Sequence, residues 1–241
     1  MIERARLLYA DPPWSYDNKT TGGSGTSGAV DQYPVMTLEQ LADLPIADLC
    51  AKSAICASWA TVPMLPEALR VLDAWGFAYK TMDVWVKAAL PDGAVLEDLL
   101  DAAAEVVLGG RVGLGAWYRV AVEFLLYGVR GHVHAPRLPE RNVFVAPVRG
   151  HSVKPVEARA RLVHAATRAF GTWHREEHKP GKLRDVLDAP CGLDDLHAIE
   201  LFARERAPGW DAIGLGIDGV DVRDALARRC AALYPQQEMF G

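Results

Sequence analysis

The chain has 241 residues, of which 50% are hydrophobic and 24% charged, and a formal net charge of −5. This balance is ordinary for one soluble globular domain spanning residues 1–241, and it argues against indiscriminate binding of nucleic acid. The sequence has no apolar run of about 18 residues and no leader-like start, so we expect no membrane span, no signal peptide and a cytoplasmic location.

The cysteines and histidines indicate neither a disulfide framework nor a metal site. The four cysteines, Cys50, Cys56, Cys191 and Cys230, are scattered and lack Cys-x-x-Cys spacing, as in reduced intracellular proteins. The seven histidines lack the spacing of metal ligands. We therefore predict no metal cofactor.

Short apolar runs alternate with amphipathic segments along the chain, a pattern typical of βαβ units. The predicted strands are Leu7–Ala10, Ala54–Trp59, Tyr79–Val86, Val122–Tyr127, Asn142–Ala146, His197–Phe202 and Asp211–Leu215. The predicted helices are Leu38–Asp43, Pro63–Trp75, Pro155–Phe170 and Val222–Leu233. We therefore expect an α/β fold with a mostly parallel central sheet and helices on both faces.

Three segments interrupt this alternation. Residues 15–32 are rich in Gly, Ser and Thr and too long for an ordinary connection, which favours a mobile active-site loop. Residues 94–110 contain an amphipathic helix over Leu96–Leu108, inserted between two strands, whose default role is packing. Residues 172–196 form an insertion without an assigned role.

The most informative feature is the motif Asp11-Pro12-Pro13-Trp14, directly after the first predicted strand. The two prolines end the strand and stiffen the loop, and they have no N–H, so their backbone offers only acceptors. A carboxylate, carbonyl groups and an indole face thus meet at the carboxyl end of a strand, where open α/β sheets bind ligands. Such a site suits a flat heterocycle with an amino group, such as adenine.

The same residue types suit methyl transfer to that amine. The lone pair of an aromatic amine is delocalised into the ring, which makes the nitrogen a poor nucleophile. Hydrogen bonds from the amine to Asp11 and to the Pro12 carbonyl would localise the lone pair, while Trp14 stacks on the ring and aligns it. A base extruded from a duplex regains about 1–3 kcal/mol from aromatic stacking. The structural alternative is a turn in which Asp11 is a cap and Trp14 packs in the core.

The basic residues are concentrated in one stretch of the sequence. Between Arg111 and Arg161 the chain has nine basic residues against three acidic ones. Such a strip is compatible with contacts to nucleic-acid phosphates. On charge alone, a solvated mixed surface is an equal alternative.

Three further motifs have two interpretations from the residues alone. Gly214–Gly219 spells G-x-G-x-x-G, but no second strand follows, so a turn or one wall of a nucleoside pocket fits better than a dinucleotide site. Lys154 precedes a helix and either holds a carboxylate or phosphate or is a solvated surface lysine. Glu200 lies in an apolar strand and either pairs with Arg204 or binds nucleoside hydroxyls.

Taken together, these motifs resemble the METTL family of adenine-N6 methyltransferases, which includes bacterial and phage DNA-modifying members, over nearly the whole chain. The matching segments, in family order, are Ala10–Trp14, Tyr33–Met36, Leu44–Ile46, Ala74–Phe77, Val84–Lys87, Trp117, Glu123–Leu126, Arg130-Gly131, His151–Pro155, Glu200–Arg204 and Gly209-Trp210. The resemblance implies a Rossmann-like methyltransferase fold, S-adenosylmethionine as cofactor, and nucleic acid as the partner of a monomer or homodimer.

The resemblance also implies roles for individual residues. The catalytic loop would be Asp11, Pro12, Pro13 and Trp14, and the substrate-binding residues would be Trp14, Tyr33, Lys87 and Glu123. The cofactor-binding residues would be Asp11, Lys154, Glu200, Phe202, Arg204 and Asp218. Family members usually carry Gly-Asn-Gln or Gly-Asn-Glu where this chain has Gly214-Leu215-Gly216, so Asp218 is expected to substitute there.

The expected function is that of a site-specific DNA adenine-N6 methyltransferase. Methylation of RNA is the first alternative. A catalytically silent relative that binds nucleic acid or serves as a partner subunit is the second. The altered Gly214–Gly216 segment favours silence, whereas the intact carboxylate of Asp11 favours catalysis.

Overall fold

The computed structural model describes residues 3–15, 35–88, 101, 104, 118, 120–149, 153–171 and 196–233. Within these residues the strands are β1 (Ala5–Ala10), β2 (Cys50–Thr61), β3 (Ala78–Ala88), β4 (Val122–Arg130), β5 (Val143–Pro147), β6 (Ala198–Leu201) and β7 (Trp210–Ile213). The helices are α1 (Leu38–Ala42), α2 (Ile46–Leu49), α3 (Leu65–Ala74, after a 3-10 turn at Val62–Met64), α4 (Val156–Phe170), α5 (Leu215–Asp218) and α6 (Val222–Leu233).

The strands form one seven-stranded sheet in the order β5-β3-β4-β2-β1-β6-β7. Only β4 runs antiparallel to its neighbours β2 and β3, while the pairs β1–β2, β1–β6, β3–β5 and β6–β7 are parallel. The carboxyl ends of the six parallel strands therefore lie at one edge of the sheet, together with the beginning of β4. We call this the active edge, because open α/β sheets bind ligands there.

The alternation of side chains along the central strand separates two apolar cores. On β1, Leu8 and Ala10 belong to a core that also contains buried residues of α1, α2, α3 and α6, and Leu7 and Tyr9 belong to a second core with α4. Successive side chains of a strand point to opposite faces of a sheet, so a strand that is apolar at every position is buried on both. The mostly parallel sheet and the helices on both faces confirm the predicted Rossmann-like architecture.

All seven predicted strands are present, but several boundaries were wrong. β2 and β4 extend beyond the predicted Ala54–Trp59 and Val122–Tyr127, because they pair with each other from Ala54–Arg130 to Thr61–Glu123 and polar side chains at the ends do not stop the ladder. Leu215, predicted to end the last strand, instead begins α5. The four-residue helices α2 and α5 were not predicted, since such short segments carry no periodic signal.

Several predictions fall on other parts of the chain. Tyr33, Trp117 and the segments 15–32, 94–110 and 172–196 lie outside the described residues, apart from Ser15, Asp101, Ala104 and Leu196. Among the helices that the structure describes, none is both long enough and apolar enough to span a bilayer.

Candidate active site

The loop Asp11–Trp14 leaves the sheet at the centre of the active edge. Ala10, the last residue of β1, pairs with Ser58 on one side and with Leu201 on the other. The loop is fixed to the segment before α1, because Met36 N donates to the Pro13 carbonyl at 2.9 Å and Ser15 N donates to the Met36 carbonyl at 3.2 Å. The Asp11–Trp14 loop is thus held between the ends of β2 and β6 and is fixed to the segment before α1.

Asp11 belongs to a series of five alternating charges that has Lys154 at its centre. Its Oδ1 lies 3.1 Å from Lys154 Nζ, and the same ammonium lies 2.8 Å from Glu123 Oε2. The other oxygen of Glu123 lies 2.5 Å from Lys87 Nζ, and Asp11 Oδ2 lies 3.7 Å from the guanidinium of Arg204. The structure therefore brings together five residues that the sequence predicted for the site.

The elements explain how these distant residues meet. Lys87 is near the end of β3 and Glu123 near the beginning of the antiparallel β4, so both side chains belong to the active edge. Lys154 immediately precedes Pro155 at the start of α4, which lies over the sheet face occupied by Tyr9. The side chain of Lys154 is only 13% exposed. The alternative of a solvated surface lysine is therefore wrong.

The charged groups around Asp11 shift one another's pKa values. Burial raises the pKa of Asp11, and Lys154 only partly offsets that effect. Burial alone would also raise the pKa of Glu123, but the ammonium groups of Lys154 and Lys87 hold it below the ordinary value. For Lys154, burial acts to lower the pKa, and the carboxylates of Asp11 and Glu123 outweigh it and raise the pKa. Lys154 is thus held as a cation between two carboxylates.

Glu200 has a different partner from the one predicted. Its carboxylate accepts two hydrogen bonds from Arg159 on α4, from Nε and from Nη2, each at 3.0 Å. Of the two alternatives for Glu200, the ion pair with Arg204 is wrong, because Arg159 is the ion-pair partner of Glu200 and Arg204 lies 3.7 Å from Asp11. Sequence reasoning missed Arg159, since its spacing from Glu200 becomes meaningful only once α4 is packed on the sheet.

The turn after β6 brings Arg204 to the active edge. Phe202, which packs partly buried against the core of α1, α2, α3 and α6, has a φ of 61°, in the left-handed region. Gly214 approaches this turn so closely that a Cβ there would lie 2.2 Å from the Ala203 carbonyl oxygen. Glycine is thus required at position 214 to let the ends of β6 and β7 meet.

Asp218, the predicted substitute for the polar family residues, is an exposed residue at the end of α5. Its Oδ1 accepts a hydrogen bond from Val220 N at 3.1 Å, as in a local turn. A role of Asp218 toward a cofactor stays a prediction.

Trp14 is buried, whereas an aromatic side chain that is open for base stacking would be exposed. The residue is 6% exposed, belongs to the core of α1, α2, α3 and α6, and donates from Nε1 to the Trp59 carbonyl at 3.3 Å. Core packing was the structural alternative for this residue. Stacking of Trp14 on a target base stays a prediction.

Variants of Trp14 separate these two roles. We expect Trp14→Ala to cost about 3–5 kcal/mol of unfolding free energy, because a large buried side chain is removed. Trp14→Phe keeps a π-face and Trp14→Leu keeps only apolar bulk, so stacking predicts that Leu raises the KM for nucleic acid well above that of Phe. Equal KM values for the two variants, measured where both are folded, would reduce Trp14 to a structural residue.

Most of this chain is similar in sequence to known proteins. The model of the MT-A70 family matches residues 6–170. The chain is 28% identical over 231 residues to the Type II methyltransferase M.MunI of Mycoplasma sp, covering 89% of this chain and 78% of that protein.

Plant relatives match over a small part of their own length. The chain is 24% identical to a putative N(6)-adenosine-methyltransferase MT-A70-like of Medicago truncatula and to an N(6)-adenosine-methyltransferase MT-A70-like of Arabidopsis thaliana. These matches cover 97% and 95% of this chain but only 30% and 26% of the plant proteins. With a family match over most of its length, the chain belongs to the MT-A70 family of methyltransferases.

Proposed function

We propose that this protein transfers a methyl group from S-adenosylmethionine to the exocyclic N6 amine of adenine in DNA. The observation that carries the proposal is the carboxylate of Asp11, fixed at the active edge between Lys154 and Arg204. A stiff loop holds this acceptor where a ligand of an open α/β sheet binds.

The charged residues fit the methionine end of the cofactor. That end carries an ammonium and a carboxylate on one carbon, and the site offers the carboxylate of Asp11 within 3.7 Å of the Arg204 guanidinium and 3.1 Å of the Lys154 ammonium. We propose that Asp11 receives the ammonium and that Arg204 and Lys154 receive the carboxylate. When bound, the cofactor supplies an electrophilic methyl group on a sulfonium.

Glu200 is the side chain that we propose for binding the cofactor's ribose. Both oxygens of Glu200 already accept hydrogen bonds from Arg159. A carboxylate oxygen has a further lone pair, so Glu200 keeps the capacity to accept from a hydroxyl. We therefore retain Glu200 as the proposed ribose ligand, positioned by Arg159.

The acceptors at the loop would prepare the target amine. The Pro12 carbonyl accepts a hydrogen bond from Trp14 N at 2.9 Å and retains a second lone pair for the amine. The side chain of Asp11 is 20% exposed, so its carboxylate is accessible to a ligand at the active edge. Two fixed acceptors direct the amine's hydrogens away from the ring plane and leave its lone pair for attack.

The raised pKa of Asp11 predicts how activity depends on pH. The Asp11 side chain is a charged, strong acceptor for the amine only when ionised, so activity falls as the pH drops through the pKa of Asp11. Because burial raises this pKa, the acidic limb should lie at higher pH than for an ordinary aspartate.

Lys154→Met provides the check on that assignment. Lys154 is the largest influence that lowers the pKa of Asp11 in the ligand-free protein, so its removal should move the acidic limb of kcat/KM to still higher pH. Initial rates at substrate concentrations well below KM, measured over a pH series, define this limb. A limb that stays in place in Lys154→Met would mean that another group titrates.

The choice of DNA rests on the relatives. M.MunI, a Type II methyltransferase, is matched over most of both proteins, whereas the plant N(6)-adenosine-methyltransferase relatives are matched over less than a third of their length. Those plant names favour adenosine in RNA as the second candidate. Methyl-labelled cofactor, supplied with plasmid DNA or with total RNA, should label the DNA, and label in RNA alone would reverse the order.

Calorimetry with S-adenosylmethionine tests the alternative that this protein is a catalytically silent subunit. We expect saturable binding that Arg204→Gln weakens, because Arg204 is proposed to hold the cofactor's carboxylate. Absence of binding to the wild-type protein would favour a scaffold over an enzyme.

A further inference from the structure

The described basic residues of the stretch from Arg111 to Arg161 fall into two groups. Some are held by hydrogen bonds or ion pairs inside the protein, and the others have exposed side chains. Arg111 and Arg119 lie outside the described residues. The basic residues with well-defined internal partners are Lys154 in the site, Arg159 on Glu200, Arg161 on Asp83 and Arg130 on the Ala47 carbonyl. Arg137, Arg141 and Arg149 are the exposed remainder.

These three arginines lie around the outermost strand, β5. Arg141 precedes the strand and Arg149 follows it, and the sequence between them contains no acidic residue. The end with Arg149 belongs to the active edge, because Val148 N donates to the carbonyl of Ala88, the residue after Lys87, at 3.2 Å. The side chain of Arg149 is 51% exposed. Its ion pair with Glu157, whose side chain is 18% exposed, is long at 3.7 Å, so half of the arginine side chain stays open to solvent.

The opposite end of β5 is held rigidly. In the loop from Gly131 to Asn142, Arg168 Nε donates to the Pro136 carbonyl at 3.0 Å and Arg161 Nη2 donates to the Arg141 carbonyl at 2.5 Å. The backbone that carries Arg137 and Arg141 is therefore fixed on α4 before any partner arrives. A surface that is already ordered loses less entropy when it binds.

The outer edge of β5 is also accessible. Among the described residues β5 is the terminal strand of the sheet, and Val143 at its start and Val148 just after it are 50% and 51% exposed. From Arg141 to Arg149 a strand rising about 3.3 Å per residue spans roughly 26 Å. One DNA strand advances about 3.4 Å per phosphate along the duplex axis, so this length matches about eight phosphates.

We propose that Arg137, Arg141 and Arg149 form a phosphate-contacting track along β5 for duplex DNA flanking the target adenine. The proposal rests on the proposed function, since it places the duplex beside the active edge. The track starts next to Lys87 and runs along the side of the sheet, so the duplex avoids both helix-covered faces. It also explains how an acidic protein holds DNA: the contact is a local strip and not the net charge.

The test uses the purified full chain and a fluorescent mixed-sequence duplex of about 30 base pairs, titrated between about 50 and 200 mM salt. The track variant is Arg137→Gln/Arg141→Gln/Arg149→Gln. The control variant is Arg70→Gln/Arg223→Gln/Arg228→Gln, which neutralises three exposed arginines on α3 and α6. Both variants lose the same charge, so only position differs.

The track variant should bind the duplex roughly ten-fold more weakly, and the slope of log K against log salt should fall by about 2–3, while the control stays near wild type. In methylation assays with unmethylated duplex DNA, the track variant should raise KM and leave kcat unchanged. Equal affinity and slope in the two variants would overturn the track. So would a preference for single-stranded RNA that the track variant does not affect.

Two further readouts keep the outcomes distinct. If the arginines only protect the exposed edge of β5 from pairing with another chain, the track variant self-associates in gel filtration and its monomer binds DNA like wild type, which overturns the proposal. If the track variant loses DNA binding but the wild-type protein methylates no DNA, the track holds and the proposed reaction fails.

Discussion

Asp11→Asn should abolish most of the methylation and leave the protein folded. The amide has the shape of the carboxylate but lacks its charge, so the charged acceptor acting on the amine is replaced by a neutral and weaker one. We expect a fall in kcat of roughly 100-fold to 1,000-fold, the usual effect of removing one preorganised electrostatic partner of the reacting group. Single-turnover methyl transfer with labelled cofactor measures this step directly.

Thermal unfolding of the same variant separates catalysis from stability. The raised pKa of Asp11 means that its ionised form is disfavoured in the folded protein relative to the unfolded chain. Removing that charge therefore costs little stability near neutral pH, and Lys154 keeps Glu123 as its partner. Asp73→Asn, an exposed carboxylate on α3, is the matched control. A melting temperature of Asp11→Asn that falls in step with its activity would make Asp11 a structural residue.

Arg159→Met should produce a large loss of stability. It removes both hydrogen bonds to Glu200, whose side chain is only 9% exposed, and leaves that carboxylate unpaired inside the sheet. Breaking a buried pair on one side typically costs about 3–5 kcal/mol. Urea unfolding at neutral pH measures the free energy. The exposed pair of Arg223 and Asp221 gives the control, since Arg223→Met should have no measurable effect.

The pH dependence of that loss identifies its cause. Burial raises the pKa of Glu200 even with Arg159 present, and the variant should raise it further. The penalty is present above this pKa, where the unpaired carboxylate is charged, and it shrinks as the pH falls and the group protonates. The double variant Arg159→Met/Glu200→Gln should be more stable than Arg159→Met at neutral pH. The Arg159 guanidinium carbon also lies 5.7 Å from the centre of the Tyr9 ring, so equal stability of the two variants would show that Arg159 acts through that contact and not through Glu200.

Much of the fold is predictable because the strands are buried on both faces. Continuous apolar runs such as Leu7–Ala10 indicate a central strand without any tertiary information. The same applies to the position of Asp11, which follows from two prolines that cannot continue a strand. These features depend on local chemistry, and the structure confirms them.

The features that were not predictable depend on packing between distant segments. Lys154 looks like a surface lysine until α4 is placed over the sheet, where Asp11 and Glu123 enclose it. The partner of Glu200 depends in the same way on the position of Arg159 along α4. The burial of Trp14 depends on the return of the chain at Met36, which follows a long segment without periodicity.

The role of Asp11 in adenine methylation is tested most directly by mass spectrometry of nucleosides from cells that express the wild-type chain or Asp11→Asn. We expect N6-methyladenine in the DNA of cells with the wild-type chain and background levels with Asp11→Asn at equal protein abundance. N6-methyladenine at equal levels in both cultures, or methylation of a different base, would contradict it.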